Sequence, residues 1–209
     1  IAVSGTARFT GDGVVRHNSA TVTLGNGARI DADYALAGGT LNIGGAAVMN
    51  GDLAWTGGII TGDLVAPGTL TLNGVLSQTG NTTVYLRNGT QLVHANTSGA
   101  SRISNTSGSG FNIEFGATFR NTGTLTIDIQ NAGSIMYIDH DSGAAGTFEN
   151  TGTLTKVGAG RVDFGNFGQL QLVQQGSFLI SEGLVTLGNT VALNGTVDIA
   201  ADATLRVLG

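Results

Sequence analysis

Phe119-Arg-Asn-Thr-Gly-Thr-Leu-Thr126 returns 29 residues later as Phe148-Glu-Asn-Thr-Gly-Thr-Leu-Thr155, and the two segments differ only at their second position. A looser third copy reads Phe164-Gly-Asn-Phe-Gly-Gln-Leu-Gln171. Each copy has an aromatic residue, an Asn-x-Gly element, and then alternating apolar and polar residues. Asn and Gly both tolerate positive φ, so Asn-x-Gly marks a sharp corner. Alternation with period two marks a strand with one buried face. A corner followed by such a strand, recurring with one polarity, describes a chain that winds about an axis and returns to the same place.

The same alternation appears in Thr21-Val22-Thr23-Leu24, Thr69-Leu70-Thr71-Leu72, Leu125-Thr126-Ile127-Asp128-Ile129 and Thr196-Val197-Asp198-Ile199. Corners recur as Asn26-Gly27, Asn50-Gly51, Asn73-Gly74, Asn88-Gly89 and Asn194-Gly195, and as Asn-x-Gly ending at Gly123, Gly152 and Gly168. These eight glycines advance by 24 residues on average, and periods of ~20–50 residues are the mark of solenoids. Helices are disfavoured, because the longest glycine-free interval, Thr196–Leu208, has thirteen residues and an interior Gly costs a helix about 1 kcal/mol. An antiparallel sandwich would use the Asn-Gly pairs as hairpin turns with strands every ~8–12 residues. The longer recurrence and its constant polarity favour an all-β parallel β-helix, a β-solenoid of roughly nine irregular coils. At ~4.8 Å per coil it makes a rod about 40–45 Å long. We expect one elongated module over residues 1–209, part of or processed from a larger chain.

Composition agrees with this. The chain holds 35 Gly, one Pro and no Cys, which removes disulfides and thiolate metal sites. Charged residues make up 11% of it, against a usual ~25%. Leu, Ile, Val and Phe supply 57 of 209 residues, above the ~20% below which chains fail to fold. A net charge of −5 without a basic stripe argues against nucleic acid as a partner, and no uncharged stretch is long and apolar enough to insert in a membrane. No basic and apolar leader opens the chain at Ile1, so a secretion signal is expected to have been removed or to lie outside this sequence.

Stacked coils predict ladders of like residues: Phe119, Phe148 and Phe164 as aromatics, Asn121, Asn150 and Asn166 as amides bonding coil to coil, and Leu125, Leu154 and Leu170 as aliphatics. Low charge follows, since stacking like residues stacks like charges.

The repeated Phe-x-Asn-Thr-Gly-Thr-Leu-Thr, with Trp55-Thr-Gly-Gly-Ile-Ile-Thr-Gly62 and Gly68-Thr-Leu-Thr-Leu72, resembles the repeat regions of large secreted bacterial surface proteins: autotransporter passengers and filamentous-haemagglutinin-like adhesins. The resemblance covers residues 38–209. It implies a right-handed parallel β-helix at the bacterial cell surface, serving as a stalk or adhesive rod. No strongly alternating translocator barrel and no recognisable secretion domain is found in these residues, so the route out of the cell is expected to be encoded outside this sequence. The chain also lacks the Gly-Gly-x-Gly-x-Asp calcium repeat of toxin β-rolls, so neither cofactor nor metal is expected.

Chemistry-bearing clusters are sparse. Asp139, His140 and Asp141 form the densest ionisable group and have the residue types of an acid–base pair or a divalent-metal site. A charged loop between two strands, with both aspartates on one face and His140 on the other, explains them more simply. Asp31 and Asp33 share a strand face with Arg29 and suit calcium or a carboxylate pair, but a solvated face suffices. His17 and His94 are read as outward residues, Trp55 as core filling, and Ser98–Gly110 as a protruding, flexible loop. Lys156 is the one lysine. Thr-x-Thr pairs at Thr21/Thr23, Thr69/Thr71, Thr124/Thr126 and Thr153/Thr155 invite an ice-binding reading, which needs them stacked on one face. No Gly-x-Ser-x-Gly elbow is present.

The expectation is a non-enzymatic, extracellular adhesive or structural rod whose partner is a surface glycan or protein receptor. Two alternatives stand beside it: end-to-end assembly with copies of itself through open sheet edges, and a polysaccharide-binding or polysaccharide-active β-helix.

Overall fold

The computed structural model describes residues 1–104, 108–166, 168–188 and 190–208. Among these residues there is no helix. Twenty-eight short strands form three parallel sheets of ten, nine and nine strands, and every third strand of the chain belongs to the same sheet. The chain is therefore a β-solenoid of about nine coils with three strands per coil. We call the sheets first, second and third in the order in which each coil visits them. In one repeat, Ile135–Asp139 lies in the first sheet, Thr147–Asn150 in the second and Thr153–Val157 in the third.

Alternation decides which side chains fill the interior. In Thr69–Leu72, Leu70 and Leu72 point in and are buried while the threonines point out. Stacking then repeats this choice coil after coil: Leu125 pairs with Leu154 and Leu154 with Phe178 in the third sheet. Burying a large aliphatic side chain contributes about 1.5–3 kcal/mol, so a continuous internal column holds each coil on its neighbour. Six aromatic rings thread the interior in one chain of contacts, Trp55–Phe111–Phe119–Phe148–Phe164–Phe178, at centroid separations of 5.1–6.2 Å. Trp55 is core filling, as read from its apolar neighbours.

The register corrects the third copy of the repeat. Phe119 pairs with Phe148, but Phe148 pairs with Leu172, and Asn150 pairs with Gln174. The true continuation is Leu172-Val-Gln-Gln-Gly-Ser-Phe-Leu179, in which the motif is conserved in shape and polarity rather than in letters. Phe164 belongs to the first sheet, between Ile138 and Leu187, and meets Phe148 edge-on at 5.3 Å from across the interior. Leu170 is buried ahead of the second-sheet strand Gln171–Gln174 instead of lying on Leu154. Asn166 stands outside the amide ladder and donates to Asp163.

The corner glycines are of two kinds, which explains their uneven spacing. Gly27 and Gly89 turn from the first sheet to the second with φ of 78° and 66°, the left-handed conformation that favours Gly. Gly51, Gly74, Gly123, Gly152, Gly176 and Gly195 turn from the second sheet to the third without positive φ. Close approach requires them: a Cβ on Gly152 would sit 2.2 Å from the Gly123 carbonyl oxygen, and one on Gly123 2.0 Å from that of Asn96. Gly168 is likewise a close-approach position, against the His140 carbonyl. Coil length varies from 19 residues between Thr21 and Thr40 to 29 between Asn121 and Asn150, and the loops absorb the difference.

The segment Ser98–Gly110 differs from its reading as one loop. Ser101–Ser104 is a third-sheet strand with Ser101 and Ile103 buried; residues 105–107, including Ser107, lie outside the described residues, as do Phe167 and Gly209.

Candidate functional site

Two polar constructions stand out, one inside the solenoid and one on the outer face of its first sheet. The inner one occupies a single column at the end of the second sheet. In register order that column reads Ile30, Met49, Leu72, His94, Asn121, Asn150, Gln174, Leu193. Its four polar members are fully buried and bonded in series. His94 Nδ1 lies 2.7 Å from Asn121 Oδ1. Asn121 Nδ2 donates to Asn150 Oδ1 at 2.7 Å and to the Thr153 carbonyl at 3.0 Å. Asn150 Nδ2 donates to Gln174 Oε1 at 2.8 Å and to the Ser177 carbonyl at 3.0 Å. The predicted Asn121–Asn150 ladder is present, flanked by His94 and Gln174 rather than by Asn166.

The partners assign the histidine tautomer. Ser101 Oγ accepts from the Leu76 N–H at 3.0 Å, so its own proton points to His94 Nε2, 2.7 Å away. His94 Nδ1–H then donates to Asn121. Burial pushes the His94 pKa down, opposed by its bond to Asn121, which keeps the ring neutral. Ser101, His94 and Asn121 have the spacing of a nucleophile, base and orienting group. All three are at 0% exposure and the serine oxygen is already engaged by Leu76, so the relay ties coils together. His94 and His17 were read as outward, and both are buried. The signal was available: Leu92 is an inward residue, and parity places His94 on the same side. Burial pushes the Tyr34 phenol up to about 12, and its hydroxyl donates to His17 Nδ1 at 2.8 Å.

On the first sheet, Asn112, Asp139, Asp163 and Thr186 alternate with core residues and so face outward, yet they are buried. The segments beyond these strands fold over the sheet. Gly116 N–H donates to the Ala144 carbonyl at 3.1 Å, Glu114 and Ala145 form an isolated antiparallel bridge, and Asn112 Nδ2 donates to Asp141. Arg87 donates to Glu114 Oε2 at 2.6 Å and lies 4.1 Å over the Tyr85 ring, while Arg161 is paired with Asp163. That hydrogen bond and charge push the Arg161 pKa up. Glu114 Oε1 is buried without a hydrogen-bond partner among the described residues.

His140 is fixed between backbone groups: Nε2 donates to the Gly143 carbonyl at 3.1 Å, Nδ1 faces Gln169 N–H at 3.5 Å, and its own N–H donates to Asp139 Oδ1. Strict alternation of Asp139, His140 and Asp141 does not hold. Asp139 and His140 are both buried and Asp141 is exposed, because the strand ends at Asp139 and the chain turns there. The arrangement is one of fixed charge pairs rather than a free acid beside a free base. Among the described residues no group of three or more His, Asp or Glu is placed to hold a metal ion.

Asp31 and Asp33 serve a corner. Asp31 Oδ1 accepts from Asn50 at 2.6 Å and from Arg29 at 2.7 Å, and these bonds pull its pKa down. Asn73 continues the line by donating to Asn50 Oδ1, and Asp33 accepts from the Asp52 N–H. Lys156 is fully buried, its ammonium donating to the carbonyls of Val157, Gly158 and Glu182; burial pushes its pKa down. The Thr-x-Thr pairs fall on all three sheets, and only Thr124/Thr126 and Thr153/Thr155 are adjacent.

Among the described residues, the concavities on the surface include three of note. One of about 340 Å³ lies at the first coil beside Phe9, Val15, His17 and Tyr34. One of about 300 Å³ lies between Ala159, Glu182, Gly183 and Asp202. The third, about 480 Å³, is on the first sheet and is lined by Asn42, Gly62, Asp63, Leu64, Val65 and Asn88. No family model, no curated protein and no solved structure matches this chain.

Proposed function

We propose that this chain is a rod-forming segment of an extracellular bacterial surface protein, non-enzymatic, presenting an adhesive lateral face to a partner. The observation that carries the reading is the buried ladder from His94 to Gln174, in which polar side chains serve coil-to-coil cohesion. Such cohesion makes a stiff rod out of short strands, because each coil contacts only its neighbours. The resemblance of the repeated Phe-x-Asn-Thr-Gly-Thr-Leu-Thr to repeats of secreted bacterial adhesins supports the setting. Contact is assigned to the first sheet, where Tyr85, Arg87 and Tyr137 lie outward beside paired charges. The test is adhesion of the purified protein, coupled to beads, to bacterial and host cell surfaces. Saturable binding is expected, and binding no stronger than to albumin-coated beads defeats the reading.

A specific observation favours a second reading, end-to-end assembly. The terminal strands leave sheet edges open and large apolar residues exposed, Ile1 and Val14 at one end and Leu193, Ile199 and Val207 at the other. Both edges are shaped to receive a further coil, and in this reading another copy supplies it. Electron microscopy over a concentration series separates the two: fibres of constant width that lengthen with concentration favour assembly, and short rods of fixed length the adhesive segment.

A further inference from the structure

We infer that the 480 Å³ concavity on the first sheet is a subsite for a neutral sugar ring of a surface glycan, an inference that rests on the adhesive reading above. Its volume falls within the ~300–1,000 Å³ of small-ligand sites. Three coils build it: Asn42 from the strand Thr40–Ile43, Gly62 and Asp63 from the next coil, and Asn88 from the coil after that.

The lining combines two chemistries. The loop after Gly62 projects Leu64 and Val65, 65% and 92% exposed. Asp63 Oδ1 fixes that loop by accepting the Val65 N–H at 2.8 Å. The coils before and after that loop contribute the amides of Asn42 and Asn88, which have no hydrogen-bond partner among the described residues, and Asp63 adds its second carboxylate oxygen. The corner asparagines Asn50, Asn73 and Asn96, by contrast, are all used by the fold. Unengaged amides supply both donors and acceptors. Asn88 is held at φ 58°, a conformation that Asn accepts at low cost, so its amide is presented from a defined backbone. Behind the floor, Thr90 Oγ1 is buried without a hydrogen-bond partner among the described residues, and a Cβ on Gly62 would meet it at 2.5 Å.

A pyranose ring matches this mixed lining, with aliphatic C–H faces for Leu64 and Val65 and hydroxyls for the amides and the carboxylate. Asp63 is the one ionisable residue in the lining, which disfavours anionic sugars. A single carboxylate with one oxygen engaged is far from the six to eight oxygen ligands calcium takes. An extended peptide is disfavoured as well, because Ile59–Gly62 is already paired on both sides and offers no free edge.

The experiment is saturation-transfer NMR and titration of the whole protein with lactose, maltotriose and mannotriose, with sialyllactose and calcium chloride as comparators. The variant is Asn42→Ala with Asn88→Gly, which keeps the backbone at residue 88 unstrained; unchanged thermal unfolding checks its fold. Binding of a neutral oligosaccharide, weakened tenfold or more in the variant and again in Leu64→Ser, is the expected result. In the titrations, three results overturn the subsite: calcium or sialyllactose alone binds, no sugar binds, or the variant binds like the parent. Cell adhesion keeps the two claims apart. Adhesion that survives in the variant sinks the subsite and spares the adhesive reading; no adhesion by the parent sinks that reading, whatever the sugars do. Adhesion lost in the variant without any sugar binding replaces the glycan with a protein receptor and also overturns the subsite.

Discussion

One column of the solenoid is built in two ways. In the first four coils its occupants are Phe9, Ile30, Met49 and Leu72, and in the next four they are His94, Asn121, Asn150 and Gln174. The backbone ladder is the same in both halves. Apolar coils need only matching volume, so neighbours there are nearly independent choices. In the polar half Asn121 and Asn150 each accept from one neighbour and donate to the next, with His94 and Gln174 closing the two ends, so the members stand or fall together. A buried amide left without its partner costs about 1–3 kcal/mol, whereas removing both partners at once is close to neutral. The polar half thereby specifies register more sharply than the apolar half, since a slipped coil orphans several groups.

Breaking the ladder in its middle has the largest expected effect. Asn121→Leu strips the acceptor from His94 Nδ1–H and the donor from Asn150 Oδ1, and urea unfolding should register a loss of about 4 kcal/mol; a loss below 1 kcal/mol would show the ladder to be incidental. Importing an amide into the other half, with Leu72→Asn, should cost about 3 kcal/mol by the same assay, since the Met49 side offers no partner. Converting His94, Asn121, Asn150 and Gln174 to Leu together should cost about 3 kcal/mol, less than the single change, because the groups that lose a side-chain partner are then Ser101 O–H and the Thr153, Ser177 and Thr196 carbonyls, with no imidazole or amide side chain left buried and unpaired. If the fourfold variant is less stable than Asn121→Leu, cooperativity within the ladder is refuted.

The ladder also makes the polar half sensitive to acid. The His94 pKa is depressed in the folded chain, while the unfolded chain takes up a proton near the ordinary 6.5. Stability from this group is complete above about pH 6.5 and falls below it, at up to about 1.4 kcal/mol per pH unit, until the folded pKa is reached. Urea midpoints of the parent and of His94→Gln, compared between pH 7.5 and 5, should diverge by that slope; parallel curves would mean that His94 is not held neutral. The smallest effect is expected at Asn166, outside the ladder, where Asn166→Ala should change stability by less than about 0.5 kcal/mol. A larger loss would restore the residue to a structural role.

The repeat at Phe119–Thr126 and Phe148–Thr155 was legible because both copies use the same letters. Its continuation at Leu172–Leu179 was not, because Gln replaces Asn and Phe replaces Leu, and spelling favoured the false copy at Phe164. Shape and polarity were kept where identity was lost. Parity alone placed His94 inward beside Leu92, a signal that its isolation in the sequence obscured. Of the first-sheet cluster, Asp139, His140 and Asp141 were visible as neighbours in the chain. Arg87 and Glu114 were not, because they meet only across coils whose lengths vary; Arg161 and Asp163 pair within one strand, where parity places them on the same face.

By itself the sequence determined the class of fold. Glycine spacing excluded helices, alternation imposed half-buried strands, and recurrence at about 24 residues imposed parallel coils, all local or periodic properties that a chain carries before it folds. The three-sheet cross-section, the pairing of Asn150 with Gln174 and the two kinds of corner glycine were decided only by the tertiary structure. The physical reason is that stacking compares residues at equal height on neighbouring coils. With coil length running from 19 to 29 residues, equal height cannot be counted along the chain.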